Sequence, residues 1–298
     1  MVGAAESHRR LLRWLPAGFP GKTRIGRLLL GNRARQGDVI VEARDDSRFL
    51  LPNLAEPVAF HLAVDGVYEP ETLAFILNCL PEGGVFVDVG ANIGVFTVPA
   101  SRKVGRGGRV LAAEASPQVL PYLEKNVSLN HLQNVTLARC AISDQAADNA
   151  AFYEAPIHKF GMGSLAAQFH GAPCQVRTRT LDEVLEEHHI DRVDVLKVDV
   201  EGHEAAVFRG ARTLLCAPNP PLIVFEFCDW AESRFPGARA GEAQEFVMSL
   251  GYQLRRLSEL REGRGRALDH PLTAGFAMLV ARRGDRRGGS ATQDCSVT

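Results

Sequence analysis

The chain has 298 residues, 46% of them apolar and 23% charged. That composition excludes a largely disordered chain, which lacks the apolar surface to offset ordering entropy; at about 150 residues per domain the length fits one or two domains. The net charge of −1 is uneven, with +7 over residues 1–35, +2 over residues 281–298 and −10 between them, and an acidic body disfavours nucleic acid as a partner because phosphates need positive charge.

No window reaches the roughly 18 apolar residues of a membrane span. The best, Val85–Ala100, is broken by Asp88 and Asn92. The six cysteines form no CxxC pair, so neither a zinc knuckle nor a redox motif is written. Without a secretory-type leader they fit thiols of a reducing, cytoplasmic compartment.

In chain order, residues 1–35 read as one or two short basic amphipathic helices, broken at Pro16 and Gly18–Gly21. They suit a solvated arm, with an anionic membrane or a partner as the other reading. Short strands are expected at Val39–Ala43, Arg48–Leu51 and Val58–Val64, with Pro52 and Pro57 as punctuation. A helix follows over Glu69–Leu80, with Glu69, Pro70 and Glu71 at its start. Strands and helices then alternate: strand Val85–Val89, helix Val95–Lys103, strand Arg109–Ala113, helix Pro117–Asn130 and strand Val135–Ile142. After them come helix Leu181–His188, strand Val193–Val198, helix His203–Cys216, strand Leu222–Cys228 and helix Ala240–Leu250. This spacing predicts an α/β fold with a parallel sheet and helices on both faces. Tyr252–Leu257 and Phe276–Ala281, with no helix expected between them, read as a terminal antiparallel hairpin. The expected organisation is an extension over residues 1–66, a main domain over 67–283 and a disordered tail over 284–298.

Asp88-Val89-Gly90-Ala91-Asn92-Ile93-Gly94 follows the first core strand. The spacing is G-x-x-x-G, not the G-x-G-x-x-G of a dinucleotide fingerprint. A dinucleotide places its pyrophosphate on the helix N-terminus, and a carboxylate beside it opposes that charge. S-adenosylmethionine has no phosphate and carries a sulfonium and an ammonium, with which Asp88 can pair directly or through water. Gly90 and Gly94 let ligand and helix approach the backbone closely. Glu114, ending the second strand, is placed to accept from ribose hydroxyls. Ser143 or Asp144, after the third strand, is placed at the adenine rim.

Leu196-Lys197-Val198-Asp199-Val200-Glu201-Gly202-His203-Glu204 ends the fourth strand, and Gly210-Ala211 follows. With Asp88–Gly94 upstream, this resembles the FkbM family of SAM-dependent methyltransferases, over roughly Val67–Phe227. The match rests on Lys197, Asp199, Glu201, Gly202, Glu204, Gly210 and Ala211, with Asp88, Gly90, Asn92 and Gly94 in the glycine turn. The resemblance implies a class I, Rossmann-like methyltransferase fold. Its seven-stranded, mostly parallel sheet has an antiparallel last strand and carries a small N-terminal extension. It also implies O-methylation of a hydroxyl on a sugar or natural-product scaffold.

Ligands of parallel sheets bind outside the carboxyl ends of the strands. Asp199, Glu201 and His203, in that order, are therefore the candidate bases for an alcohol acceptor. The plain alternative is that Asp199 caps a helix and Glu201 complements its dipole. A metal at Asp199, Glu201 and His203 is disfavoured, because residues two and four apart do not all share one helical face. Glu69, His158, Ser164 and Glu226 are candidate acceptor contacts; His158 and Ser164 lie in a Gly-rich flap within the long connection Glu154–Gln175. An NAD(P)-dependent oxidoreductase on a similar sheet, or a non-catalytic binding protein, remains the alternative reading.

Overall fold

The computed structural model describes residues 19, 21–30, 37–54, 56–167, 169, 171–235, 237–261 and 264–284. The expectations for residues 1–18, for 31–36 and for most of the tail lie outside these. Helix Lys22–Leu30 precedes a hairpin of β1 (Val39–Glu42) and β2 (Arg48–Leu51). The strands that follow are β3 (Val85–Val89), β4 (Arg109–Ala113), β5 (Val135–Ala138), β6 (Ala141–Ile142), β7 (Ala147–Phe152) and β8 (Cys174–Arg179). The last four are β9 (Val195–Val198), β10 (Leu222–Cys228), β11 (Tyr252–Arg256) and β12 (Phe276–Arg283).

Seven of these strands form one sheet in the order β5-β4-β3-β9-β10-β12-β11. Only β12 runs against its neighbours. This is the class I methyltransferase architecture, and the terminal hairpin is β11–β12. Every residue of β3 is buried, as a strand covered on both faces requires. Successive strand residues feed opposite layers. Phe86, Val110, Val195 and Val224 share a core with Phe49, Leu51 and Leu62 from the N-terminal elements. Val87, Leu111, Leu196 and Phe225 pack with Val184, Val207 and Phe208 on the other face. The chain leaves β3 in one direction and β9 in the other, so the gap between their carboxyl ends is the switch point of the sheet.

The structure corrects five expectations. Residues 57–65 are helical (Pro57–Asp65), not a strand. Pro57 is the first helical residue, and the Glu56 carboxylate caps the helix by accepting from Ala59 N–H at 2.8 Å. A short run buried nearly all round carries no period to tell helix from strand. The third strand breaks after Ala138, and β6 joins β8 and β7 in a second, three-stranded sheet. The connection 154–175 is thus the loop of an antiparallel β7–β8 pair; the Ala/Asp/Asn-rich β7 has little strand propensity to reveal it. The helix expected over 203–216 is two, Glu204–Arg209 and Arg212–Cys216. A Cβ on Gly210 would overlap the Ser143 carbonyl, and the Asp182 carboxylate takes the N–H groups of Thr213 and Leu214 at 2.7 and 3.0 Å. A short helix, Leu257–Arg261, anchored by buried Leu257, follows β11.

No described helix is long and apolar enough to cross a membrane. Among the described residues the five cysteines are unpaired.

Candidate functional site

A cavity of about 340 Å³ opens at the carboxyl ends of β3, β4, β9 and β10. One end is the glycine turn. Gly90 and Ala91 N–H both donate to Ala113 O at 3.0 Å, folding the chain back over β4. Gly90 has φ 78°, and a Cβ there would overlap the Asp199 carbonyl oxygen. Its bareness therefore admits the backbone leaving β9, rather than a ligand. Asn92 is also left-handed at φ 51°, a conformation that Asn tolerates better than most residues. Gly94 lies off the cavity wall against Leu123, where its φ of 92° turns the chain into helix Thr97–Val104.

Glu114 lines the cavity as expected, but its oxygens are largely engaged. Oε2 accepts from Asn92 N–H at 2.8 Å, and Oε1 from Ala115 and Ser116 N–H, both at 2.9 Å. An ionised carboxylate offers about four lone-pair sites, so Oε2 keeps room for one further donor rather than both ribose hydroxyls. Burial raises the Glu114 carboxyl above its ordinary range, opposed by these three N–H bonds.

Asp88 does not reach the cavity. It is fully buried beneath the turn, where Oδ2 accepts from Thr97 Oγ1 at 2.7 Å and Oδ1 faces Lys197 Nζ at 3.4 Å. A carboxylate in mid-strand is tolerable there only because a cation is buried with it. Lys197, 2% exposed, also donates to Gly90 O at 3.0 Å, approaches Asp199 Oδ2 at 3.3 Å and lies over the Phe96 ring at 5.0 Å. Burial alone would lower its affinity for a proton, but Asp199, Asp88 and Glu69 raise it further. One ammonium thus ties the glycine turn to the residue that follows β9.

Ser143 and Asp144 also turn away from the cavity, whose wall there is Cys140, Ala141 and Ile142. The β6–β8 pairing aims Ser143 at His203, with Oγ 2.9 Å from Nε2, and Asp144 at Arg209, 2.9 Å away. His203 lines the cavity against Phe235, ring centroids 4.9 Å apart. Burial lowers its pKa to about 4, leaving it neutral near pH 7 and a weak base.

The other end is a ring of carboxylates. Glu69, Asp199, Glu201 and Glu226 all face the cavity. Burial first, then the Asp199 charge, raises Glu69, takes Glu201 to about 7 and takes Glu226 to about 10. Glu201 is held left-handed at φ 57° by the tight turn into helix Glu204–Arg209. The buried Glu204 accepts from Val200 and Gly202 N–H in that turn. Among the described residues no group of three or more His, Cys, Asp or Glu is arranged to hold a metal ion.

The flap closes one side. Ser164 lines the cavity and its backbone bridges to Tyr153. His158 does not line it: it sits exposed on the turn Ile157–Lys159, because buried Phe160 is the residue that anchors this stretch, edge-on to Tyr122. Sequence reasoning missed Tyr68, Ser116 and Phe276. Ser116 Oγ donates to Glu154, fixing the base of the flap, and only the tertiary structure brings these two together.

Residues 88–254 match the methyltransferase FkbM domain. The chain is 31% identical over 160 residues to methyltransferase sdnD of Sordaria araneosa, covering 44% of this chain and 61% of that protein. It is 29% identical over 155 residues to hexuronic acid methyltransferase AglP of Haloferax volcanii, covering 52% of this chain and 61% of that protein. The chain therefore spans about three fifths of the length of these relatives. Among solved structures it is similar to a methyltransferase FkbM from Methylobacillus flagellatus KT, at 16% identity and a TM-score of 0.41, covering 68% of this chain and 44% of that chain. With the family's domain matched over more than half its length, the chain belongs to the FkbM methyltransferase family.

Proposed function

We propose that the cavity binds S-adenosylmethionine and that the protein transfers its methyl group to a hydroxyl of a sugar or other small molecule, with residues 67–283 as the transferring unit. The charge of the wall carries this reading. Glu69, Glu114, Asp199 and Glu201 face the cavity, and Lys197 on its wall is shared between Asp88 and Asp199. That surface suits a cationic sulfonium and opposes the pyrophosphate of NAD(P).

The turn at Gly90–Asn92 and the free position on Glu114 would hold the amino-acid and ribose portions, with Cys140–Ile142 against the base. Asp88 and Thr97 fix the turn from beneath, through Lys197 and the start of the helix. When bound, the donor supplies an already activated methyl group. The protein's remaining work is alignment and removal of the acceptor's proton. Asp199, held by Lys197, is the base, with Glu201 next to it. Burial and the neighbouring carboxylates push the Glu226 carboxyl well above its ordinary range, which suits it to offer the acceptor a hydrogen bond rather than to take its proton. The name of AglP, a hexuronic acid methyltransferase, supports a sugar acceptor.

Calorimetry with S-adenosylhomocysteine and with NADH tests the cofactor, and Asp199→Asn tests the base. The nucleoside thioether should bind and NADH should not. Asp199→Asn should lower turnover by about 10²–10⁴-fold with little change in that affinity. Binding of NADH alone would overturn the reading. So would an Asp199→Asn protein that loses the thioether yet still turns over.

A further inference from the structure

A second cavity of about 780 Å³ adjoins the first and shares Tyr68, Glu69 and Phe276 with it. Phe19 also lines it, and Phe19 and Phe276 are 45% and 64% exposed. Phe19 stands just before helix Lys22–Leu30, and the seating of that helix decides which face it shows. Gly26 meets helix Pro57–Asp65 so closely that a Cβ there would lie 2.8 Å from a Val64 methyl. Lys22, on the same side, is buried and pairs with Asp65 at 2.9 Å. At about 100° per residue, Arg24 and Leu28 then fall on the opposite side, flanked by Ile25 and Arg27. All four are exposed, Leu28 at 82%. Phe19, Ile25 and Leu28 are three of the seven large apolar side chains exposed among the described residues. Scattered apolar residues on a surface are ordinary, but several gathered on one helix mark a face that meets something apolar.

Charge narrows what that something is. The helix contains no acid. Residues 1–35 hold eight Lys/Arg and one acid, against a net of −10 over residues 36–280. The same mixture is written just upstream, where Leu11, Leu12, Trp14 and Leu15 are set among Arg9, Arg10 and Arg13. A basic and apolar face of this kind suits the interface of an anionic bilayer. Leucine, isoleucine and aromatic side chains enter the headgroup boundary while the arginines meet the phosphates. A second copy of the chain would instead set two basic faces against each other. Nine residues are far too few to span a bilayer, so the helix can only lie on it.

We propose that residues 19–28 dock the protein on an anionic membrane surface, with helix Lys22–Leu30 in the plane of the headgroups and the second cavity beside it. The acidic body, repelled by the same surface, stays on the aqueous side. Docking of this kind is independent of methyl transfer.

Co-sedimentation of the full chain with phosphatidylcholine vesicles, with and without phosphatidylserine, tests it. The chain should bind the anionic vesicles, bind the neutral ones at least about tenfold more weakly, and come off as salt is raised. Arg24→Gln and Leu28→Gln change exposed side chains outside the core. Each should weaken vesicle binding about fivefold and leave the affinity for S-adenosylhomocysteine unchanged. Arg106→Gln removes the same charge from the exposed loop before β4 and should change nothing. Equal binding to neutral vesicles, or no binding to anionic ones, overturns the assignment. So does binding that Arg24→Gln and Leu28→Gln leave intact, or that Arg106→Gln weakens as much. A lipid-free dimer that Leu28→Gln dissolves gives the face to a second copy, and retention of polyglutamate in place of vesicles gives it to an acidic protein; either result removes the membrane.

Discussion

The two ends of the main cavity hold their carboxylates in opposite ways. At the glycine turn, Glu114 accepts three backbone N–H bonds, and all the groups involved lie within residues 88–116. At the other end, Glu69, the Asp199–Glu201 turn and Glu226 come from three places in the chain and line one cavity. The first end is pre-organised by local backbone. The second is kept under electrostatic tension, since each buried charge raises the proton affinity of the next. Lys197 joins the two, touching both the Gly90 carbonyl and Asp199.

Removing that joint should have the largest effect. Lys197→Met leaves Asp88 buried without its cation, and breaking a buried pair from one side costs about 3–5 kcal/mol. Urea unfolding measures it; an unchanged midpoint would mean that Asp88 does not depend on the ammonium. Gly90→Ala sharpens the contrast from the backbone side. A methyl group against the Asp199 carbonyl, at positive φ, should cost about 2–4 kcal/mol and abolish thioether binding. Normal binding in that variant would show that the turn relaxes freely.

The smallest effect is a slope. Burial raises Glu204 to about 8 and Glu201 to about 7. Between pH 5 and 8 the folded protein holds these protons while the unfolded chain has released them, so stability should fall as pH rises through this window. Glu204→Gln keeps the acceptor for Val200 and Gly202 N–H and removes one titration, so its decline should be shallower. Equal slopes for the two proteins, followed by urea midpoint against pH, would contradict the assignment.

Legibility followed the same division. The alternation of Val85–Val89, Arg109–Ala113 and Val193–Val198 with helices announces the parallel sheet, because each strand is apolar on both faces. The stretch 58–64 misleads, because a helix buried nearly all round carries no periodicity. Asp88 shows how a motif can be read correctly and its geometry wrongly: the acid is present, but it faces inward to Lys197 and Thr97. The spacing puts Ser143 and Asp144 at the rim, but the chain has left the main sheet after Ala138, and β6 carries the cavity wall no further than Ile142. His158 and Ser164 share one glycine-rich loop, and only the anchoring of Phe160 decides that Ser164 faces the cavity.

The sequence by itself determined the layered α/β sheet, the G-x-x-x-G turn after its first core strand and the family, since these rest on local pattern and short-range spacing. Tertiary structure alone decided which carboxylates meet, that Lys197 lies between Asp88 and Asp199, and that a second cavity adjoins the first. Those depend on contacts between segments distant in the chain, such as Lys197 with Asp88 and Gly90, set by strand order and by burial, and no local pattern encodes them.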